Sequence, residues 1–172
     1  MIFLDTGFLF ALVSKKDAHH KRAVDVFREF KNVRLADHLL TTNHVIVEAI
    51  TLTLKIGHSK AAKLGEQLYG EKLAQIHWAT PEEERAAFDY FKRHQDQTYS
   101  MVDCLSFIVM KKLGIREALA IDSDFTHRFV ARPGPLRTRP RAAAYGRLAV
   151  IARRSRLSRI RTRCVACSAQ PP

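Results

Sequence analysis

The chain has 172 residues, is 47% hydrophobic and carries a formal charge of +12, which suffices for one domain with its own core. No apolar run reaches the roughly 20 residues of a membrane-spanning helix, and the start is no secretory signal, because Asp5 interrupts it and Lys15, Lys16 and Asp17 follow. The charge suggests nucleic acid at first sight, yet residues 1–131 carry 18 Lys and Arg against 17 acids, so only residues 132–172, with 11 Arg and neither Lys nor acid, are strongly basic.

Met1–Leu4 is a short apolar strand candidate that ends at Asp5. Ala18–Lys31 has helical spacing, with Ala23, Val26, Phe27 and Phe30 on one side. His38–Thr42 reads as a strand end. Asn43–Ile56 follows as a helix with the stripe Val45, Ala49, Leu52 and Ile56, stopped by Gly57. Ser59–Leu68 is a further helix, and Ala74–Trp78 a strand. Pro81, leading an acidic first turn, opens the next helix. Ser100–Leu113 is a very apolar helix closed by Gly114. Ala118–Ile121 is a last strand, ending at Asp122. The alternation predicts an α/β fold around a parallel sheet.

Residues 132–172 break the pattern. They read as an Arg-rich tail, either a disordered arm for RNA or another polyanion, or a non-native extension such as a shifted reading frame; the abrupt change in composition favours the second. The expected division is therefore an α/β domain over 1–131 and a tail over 132–172. Cys164 and Cys167 form a lone C-x-x-C without a second pair, which is half of a zinc site. Three cysteines without an export signal argue against a disulfide framework and for a cytoplasmic protein, with Cys104 a buried thiol. Eight His without an H-E-x-x-H exclude the common zinc-protease pattern.

The acids carry the chemistry. Each has a plain structural alternative. Asp5 can cap a helix starting near Gly7, and Thr6 could do the same. Glu48 can be an edge carboxylate reaching solvent. Ser100-x-x-Asp103 can be a capping box. Asp122 and Asp124 can cap the segment from Ser123 onward. Taken together they form a pattern: two strands end in Asp, and two apolar helices each carry an acid on or near the inner side. Strand ends in a parallel sheet share one edge with the helix starts that follow. Several carboxylates there need a cation, and oxygen-only ligands favour Mg²⁺ or Mn²⁺ over zinc.

The stretches "MIFLDTGFLFAL", "LLTTNHVIVEAITL", "YSMVDCLSFIVMKKLGI" and "ALAIDSDF", in this order across roughly residues 1–130, resemble the PIN-domain family and, more closely, its VapC-type toxin ribonucleases. The resemblance implies a three-layer α/β/α domain with a central parallel sheet. It implies an acidic pocket for one or two Mg²⁺ or Mn²⁺, with Asp5, Glu48, Asp103 and Asp122 as catalytic metal ligands. Asp124 would be an accessory acid, and Thr6 and Ser100 would orient water or a carboxylate. It further implies endonucleolytic cleavage of RNA, often transfer RNA, by metal-activated water, a small antitoxin partner and a homodimer. Lys15, Lys16, Lys21 and Arg22 could supply a phosphate-binding patch, although a solvated helix start is the simpler reading. Two rivals stand beside this one. A catalytically inactive RNA-binding protein would use the acids only as caps. A haloacid-dehalogenase-type phosphatase would want a second Asp two residues after Asp5, where Gly7 stands.

Overall fold

The computed structural model describes residues 1–121. Asp122, Asp124 and the Arg-rich segment lie outside the described residues. Four strands, β1 (Ile2–Leu4), β2 (Leu39–Thr42), β3 (Gln75–His77) and β4 (Ala118–Leu119), form one sheet in the order β3-β2-β1-β4. Every pairing is parallel. Six α-helices connect the strands: α1 (Thr6–Val13), α2 (His20–Arg28), α3 (Asn43–Thr53), α4 (His58–Tyr69), α5 (Pro81–Arg93) and α6 (Met101–Lys112). They pack in two groups, α1 to α4 and α5 with α6, as a layered α/β domain requires.

The strands are short, and β1, β2 and β4 are largely buried, whereas edge strand β3 is not. Phe3, Leu4, Leu39 and Leu40 enter one core with Phe8 and Leu9 of α1, Val45 and Ile46 of α3, and Leu105 and Val109 of α6. Parallel strands covered on both sides read as continuous apolar runs, which is why IFL, LLTT and AL carry no polar alternation. Two buried polar groups pair with backbone carbonyls at the sheet. Thr41 in central β2 donates its hydroxyl to the Leu4 carbonyl at 3.0 Å, and the Asp5 amide donates to the Leu119 carbonyl at 3.1 Å.

The helix boundaries follow from local chemistry. Thr42 caps α3 by accepting from the Val45 amide. A short 3-10 turn, Leu54–Ile56, ends that helical run, and Gly57 then takes φ +126, a backbone state that side chains rarely adopt. Thr80 and Glu83 close a capping box at the start of α5, with Pro81 at its first position. Gly114 leaves α6 at φ +66.

One inner stripe departs from its expectation. On α3 the buried residues are Val45, Ile46, Ala49 and Thr53, whereas Leu52 and Ile56 are only half-buried. The helix is covered by both α1 and α4, so its buried arc is wider than one stripe and leaves Leu52 at the margin. His20 is half-buried, with its Nδ1 2.7 Å from the Ala11 carbonyl. Among the described residues no helix is long and apolar enough to cross a membrane.

Candidate active site

Because the sheet is parallel, β1, β2 and β4 all deliver their carboxyl ends to one edge. Asp5 follows β1 there, and α1 and α3 begin there. Helix α6 runs back toward the start of β4, so its N-cap, Ser100, also lies toward this edge.

Asp5 is 3% exposed. It serves as the N-cap of α1, in extended backbone, and its Oδ2 accepts from the Gly7 amide at 3.0 Å. The cap reading of Asp5 therefore holds, with the helix starting at Thr6. A Cβ added to Gly7 would stand 3.4 Å from Asp5 Oδ2 and 3.4 Å from Ile121 Cβ. Those are ordinary contact distances, so the first turn of α1 lies close both to the Asp5 carboxylate and to the residue directly before Asp122.

Thr6 has a different partner. Its hydroxyl donates to Glu48 Oε2 at 2.6 Å, across 42 positions of sequence. The bond ties the start of α1 to the middle of α3, two helices that also pack together. Glu48 is half-buried, at the border between the buried arc of α3 and solvent.

Asp103 closes a capping box with Ser100. The Ser100 amide donates to Asp103 Oδ2 at 2.7 Å, and the Asp103 amide donates to the Ser100 hydroxyl at 3.1 Å. Ser100 therefore orients the Asp103 carboxylate directly. The capping reading and the site reading are not exclusive: the cap fixes the carboxylate's rotamer, and the acid stays half-buried rather than sealed. Next to it, burial and then the Asp103 charge push the Cys104 thiol up to about 11. Cys104 is thus a neutral core thiol and supplies no thiolate ligand.

The candidate donors are carboxylate and hydroxyl oxygens, the set that suits a hard divalent cation. Among the described residues no three His, Cys, Asp or Glu side chains gather closely enough to hold a metal ion. Asp5 and Glu48 are linked through neighbouring residues, Asp103 is presented from α6, and the fourth expected acid, Asp122, lies beyond the described residues.

Residues 2–128 match the PIN domain family. The chain belongs to that family. As a PIN domain it is 35% identical over 127 residues to the 23S rRNA-specific endonuclease VapC20 of Mycobacterium tuberculosis, covering 73% of this chain and 92% of that protein. It is 30% identical over 130 residues to a VapC ribonuclease of Archaeoglobus fulgidus, covering 75% of this chain and 81% of the relative. The crystal structure of the Mycobacterium tuberculosis VapC20, a toxin that cleaves the sarcin–ricin loop, superimposes with a TM-score of 0.67 at 33% identity. That match spans 77% of this chain and all of the other.

Two features of this PIN domain escaped sequence reasoning. One is the Thr6–Glu48 bond, for which a 42-residue separation leaves no local signal. The other lies in α5, where Glu83 is 4% exposed and braced by His77 and Lys112. Its signal was the T-x-x-E spacing of Thr80 and Glu83, which marks a capping box rather than a solvated acidic turn. The basic group Lys15, Lys16, Lys21 and Arg22 is exposed, as a solvated helix start would be.

Proposed function

We propose that this chain is a divalent-metal-dependent endoribonuclease and the toxin of a toxin–antitoxin pair. Membership of the PIN domain family and the named activities of its VapC relatives support the class of reaction. The observation that carries the reading onto this chain's own residues is the 2.6 Å Thr6–Glu48 bond beside the buried Asp5. It supports the reading by tying Glu48 of α3 to Thr6, the residue that follows Asp5, at the sheet edge where parallel sheets bind their ligands.

Asp5, Glu48, Asp103 and Asp122 are the residues proposed to hold one or two Mg²⁺ or Mn²⁺. When bound, such an ion lowers the pKa of a coordinated water and offsets charge on the phosphoryl oxygens. The protein's own part is positioning. The Gly7 amide orients Asp5, the Thr6 hydroxyl fixes Glu48, and Ser100 holds Asp103 in one rotamer. Asp124 is proposed as an accessory acid.

The proposed substrate is RNA. A relative named for 23S rRNA cleavage makes ribosomal RNA the first substrate to try, ahead of the transfer RNA that the family resemblance suggested. A small antitoxin and a second copy of the chain are the proposed partners. The phosphatase alternative is weakened by Gly7, which occupies the first turn of α1 where that chemistry needs an acid.

The test is cleavage of total RNA and of isolated ribosomal RNA by partner-free protein, with Mg²⁺, with Mn²⁺ and with EDTA. Asp5→Asn is the control, because Asn caps helices as well as Asp does. Metal-dependent fragments absent from the variant support the reading. Fragments that persist in EDTA or in the variant overturn it, and a folded protein that binds RNA without cutting it favours the catalytically inactive binding protein.

A further inference from the structure

A groove of about 560 Å³ runs beside the candidate site, between α3 and the start of α6. It is continuous with that site, because Glu48 forms part of its wall and Val102, which precedes Asp103, forms another part. Its floor is apolar: Val47, Leu52 and Val102 line it, and Val47 is 57% exposed in the middle of α3. His44, at one end, is already engaged, with Nε2 3.3 Å from Glu84. Lys55, at the other end, is exposed and has no ion pair among the described residues. No acid stands three or four positions from it in the chain, where a helical partner would be. The separation from Glu48 to Lys55 is about two helical turns.

The groove thus offers an apolar surface with the Glu48 carboxylate in its wall and the exposed Lys55 ammonium at its end. Its volume falls within the range of small-ligand sites, roughly 300–1,000 Å³. An unpaired nucleotide has the matching chemistry. Its base needs an apolar face, because RNA is read as splayed, unstacked bases, and its phosphate needs a cation. We infer that this groove is a nucleotide subsite of the nuclease, in which an unpaired base next to the cleaved phosphodiester rests on Val47, Leu52 and Val102 while Lys55 holds a flanking phosphate. The inference rests on the ribonuclease reading and extends it to the substrate's conformation: the strand enters unpaired.

The experiment measures binding of a short, labelled, single-stranded RNA by fluorescence anisotropy in EDTA across a salt series. The proteins are wild type, Lys55→Ala, Lys55→Arg and Val47→Glu, with oligomeric state followed by light scattering. The expected result is a loss of about 3- to 10-fold for Lys55→Ala, with the slope of log affinity against log salt reduced by about 0.7, the value of one single-strand phosphate contact. Lys55→Arg restores binding, Val47→Glu weakens it at least as much as Lys55→Ala, and all keep the wild-type oligomeric state. On any RNA that the wild type cuts, Lys55→Ala raises KM by the same factor and leaves kcat unchanged. Unchanged affinity and salt slope in Lys55→Ala and Val47→Glu overturn the subsite. So does a Val47→Glu protein that changes oligomeric state while binding RNA normally, which would make the groove a protein interface. A wild type that binds through Lys55 but cuts no RNA would sink the nuclease reading alone; one that cuts RNA with Lys55 indifferent would sink the subsite alone.

Discussion

Glu83 and Glu48 are both helical glutamates, and their surroundings differ in kind. Around Glu83, Lys112 Nζ stands 2.7 Å from one carboxylate oxygen, and His77 Nε2 and the Thr80 amide each stand 2.9 Å from the other. Burial alone would raise this carboxyl. The Lys112 bond, the Thr80 amide and His77 outweigh it and hold Glu83 at about 2. Around Glu48 the side-chain partner is one neutral hydroxyl, that of Thr6, and among the described residues no cation is paired with it. A carboxylate whose charge is met inside the fold is a brace between β3, α5 and α6. A carboxylate held in place by a neutral donor keeps its charge for something that arrives from outside. The same residue type therefore serves structure in one region and is available for chemistry in the other.

The comparison is broken most directly by removing charge from each region in turn. Asp5→Asn, Glu48→Gln or Asp103→Asn should each lower RNA cleavage by at least about 100-fold, the scale expected for losing a metal ligand or its orienting partner. Thermal midpoints should stay close to wild type, since Asp5 and Asp103 retain capping side chains. Cleavage assays and thermal melts on the same preparations check this. A variant that loses activity only in proportion to lost folded protein would place the acid among the braces.

Glu83→Ala should do the reverse. It removes half of the capping box, the Lys112 ion pair and the His77 hydrogen bond from a buried position, and should lower unfolding free energy by about 2–3 kcal/mol. The figure sits below the usual cost of breaking a buried pair because Lys112, 57% exposed, can turn to water. Urea denaturation measures it. Cleavage per folded molecule should be unchanged.

The acid limb sharpens the same contrast. Glu83 titrates lower in the folded protein than its ordinary 4.5, so its stabilising effect is complete above about 4.5 and is lost as pH falls toward about 2. Stability against pH should therefore fall across this window more steeply in wild type than in Glu83→Gln, and the two curves should converge near its lower end. Parallel curves would show that the brace is not a charged one.

Much of this contrast lies beyond a linear reading of the chain. β1, β2 and β4 were legible as short apolar runs, and the helix stops because Gly57 and Gly114 take positive φ. Asp5, Asp103 and Ser100 were legible as caps because capping is local, within three positions. The brace was not, since Lys112 lies 29 positions from Glu83 and only the packing of α5 on α6 joins them. The edge position of Glu48 could be read from helical spacing, but its partner could not. Leu52 was misjudged for a related reason: a helix covered by two neighbours buries a wide arc, and the residue beside that arc turns toward the groove.

The smallest expected effect concerns the hydroxyl that separates the two uses. Thr6 is buried, and its hydroxyl donates to Glu48 Oε2 in the short contact. Thr6→Val keeps shape and removes that donor, at about 1–2 kcal/mol for a hydrogen bond to a charged acceptor. Half-buried Glu48 can then turn toward water, so the fold should survive. Cleavage should drop about 10-fold, mainly in kcat, because the carboxylate is no longer fixed where it is needed. Thr6→Ser returns the hydroxyl without the methyl and should recover most of the rate. If Thr6→Val and Thr6→Ser lose activity equally, the methyl's packing matters and the hydroxyl does not, and Glu48 is positioned by α3 alone.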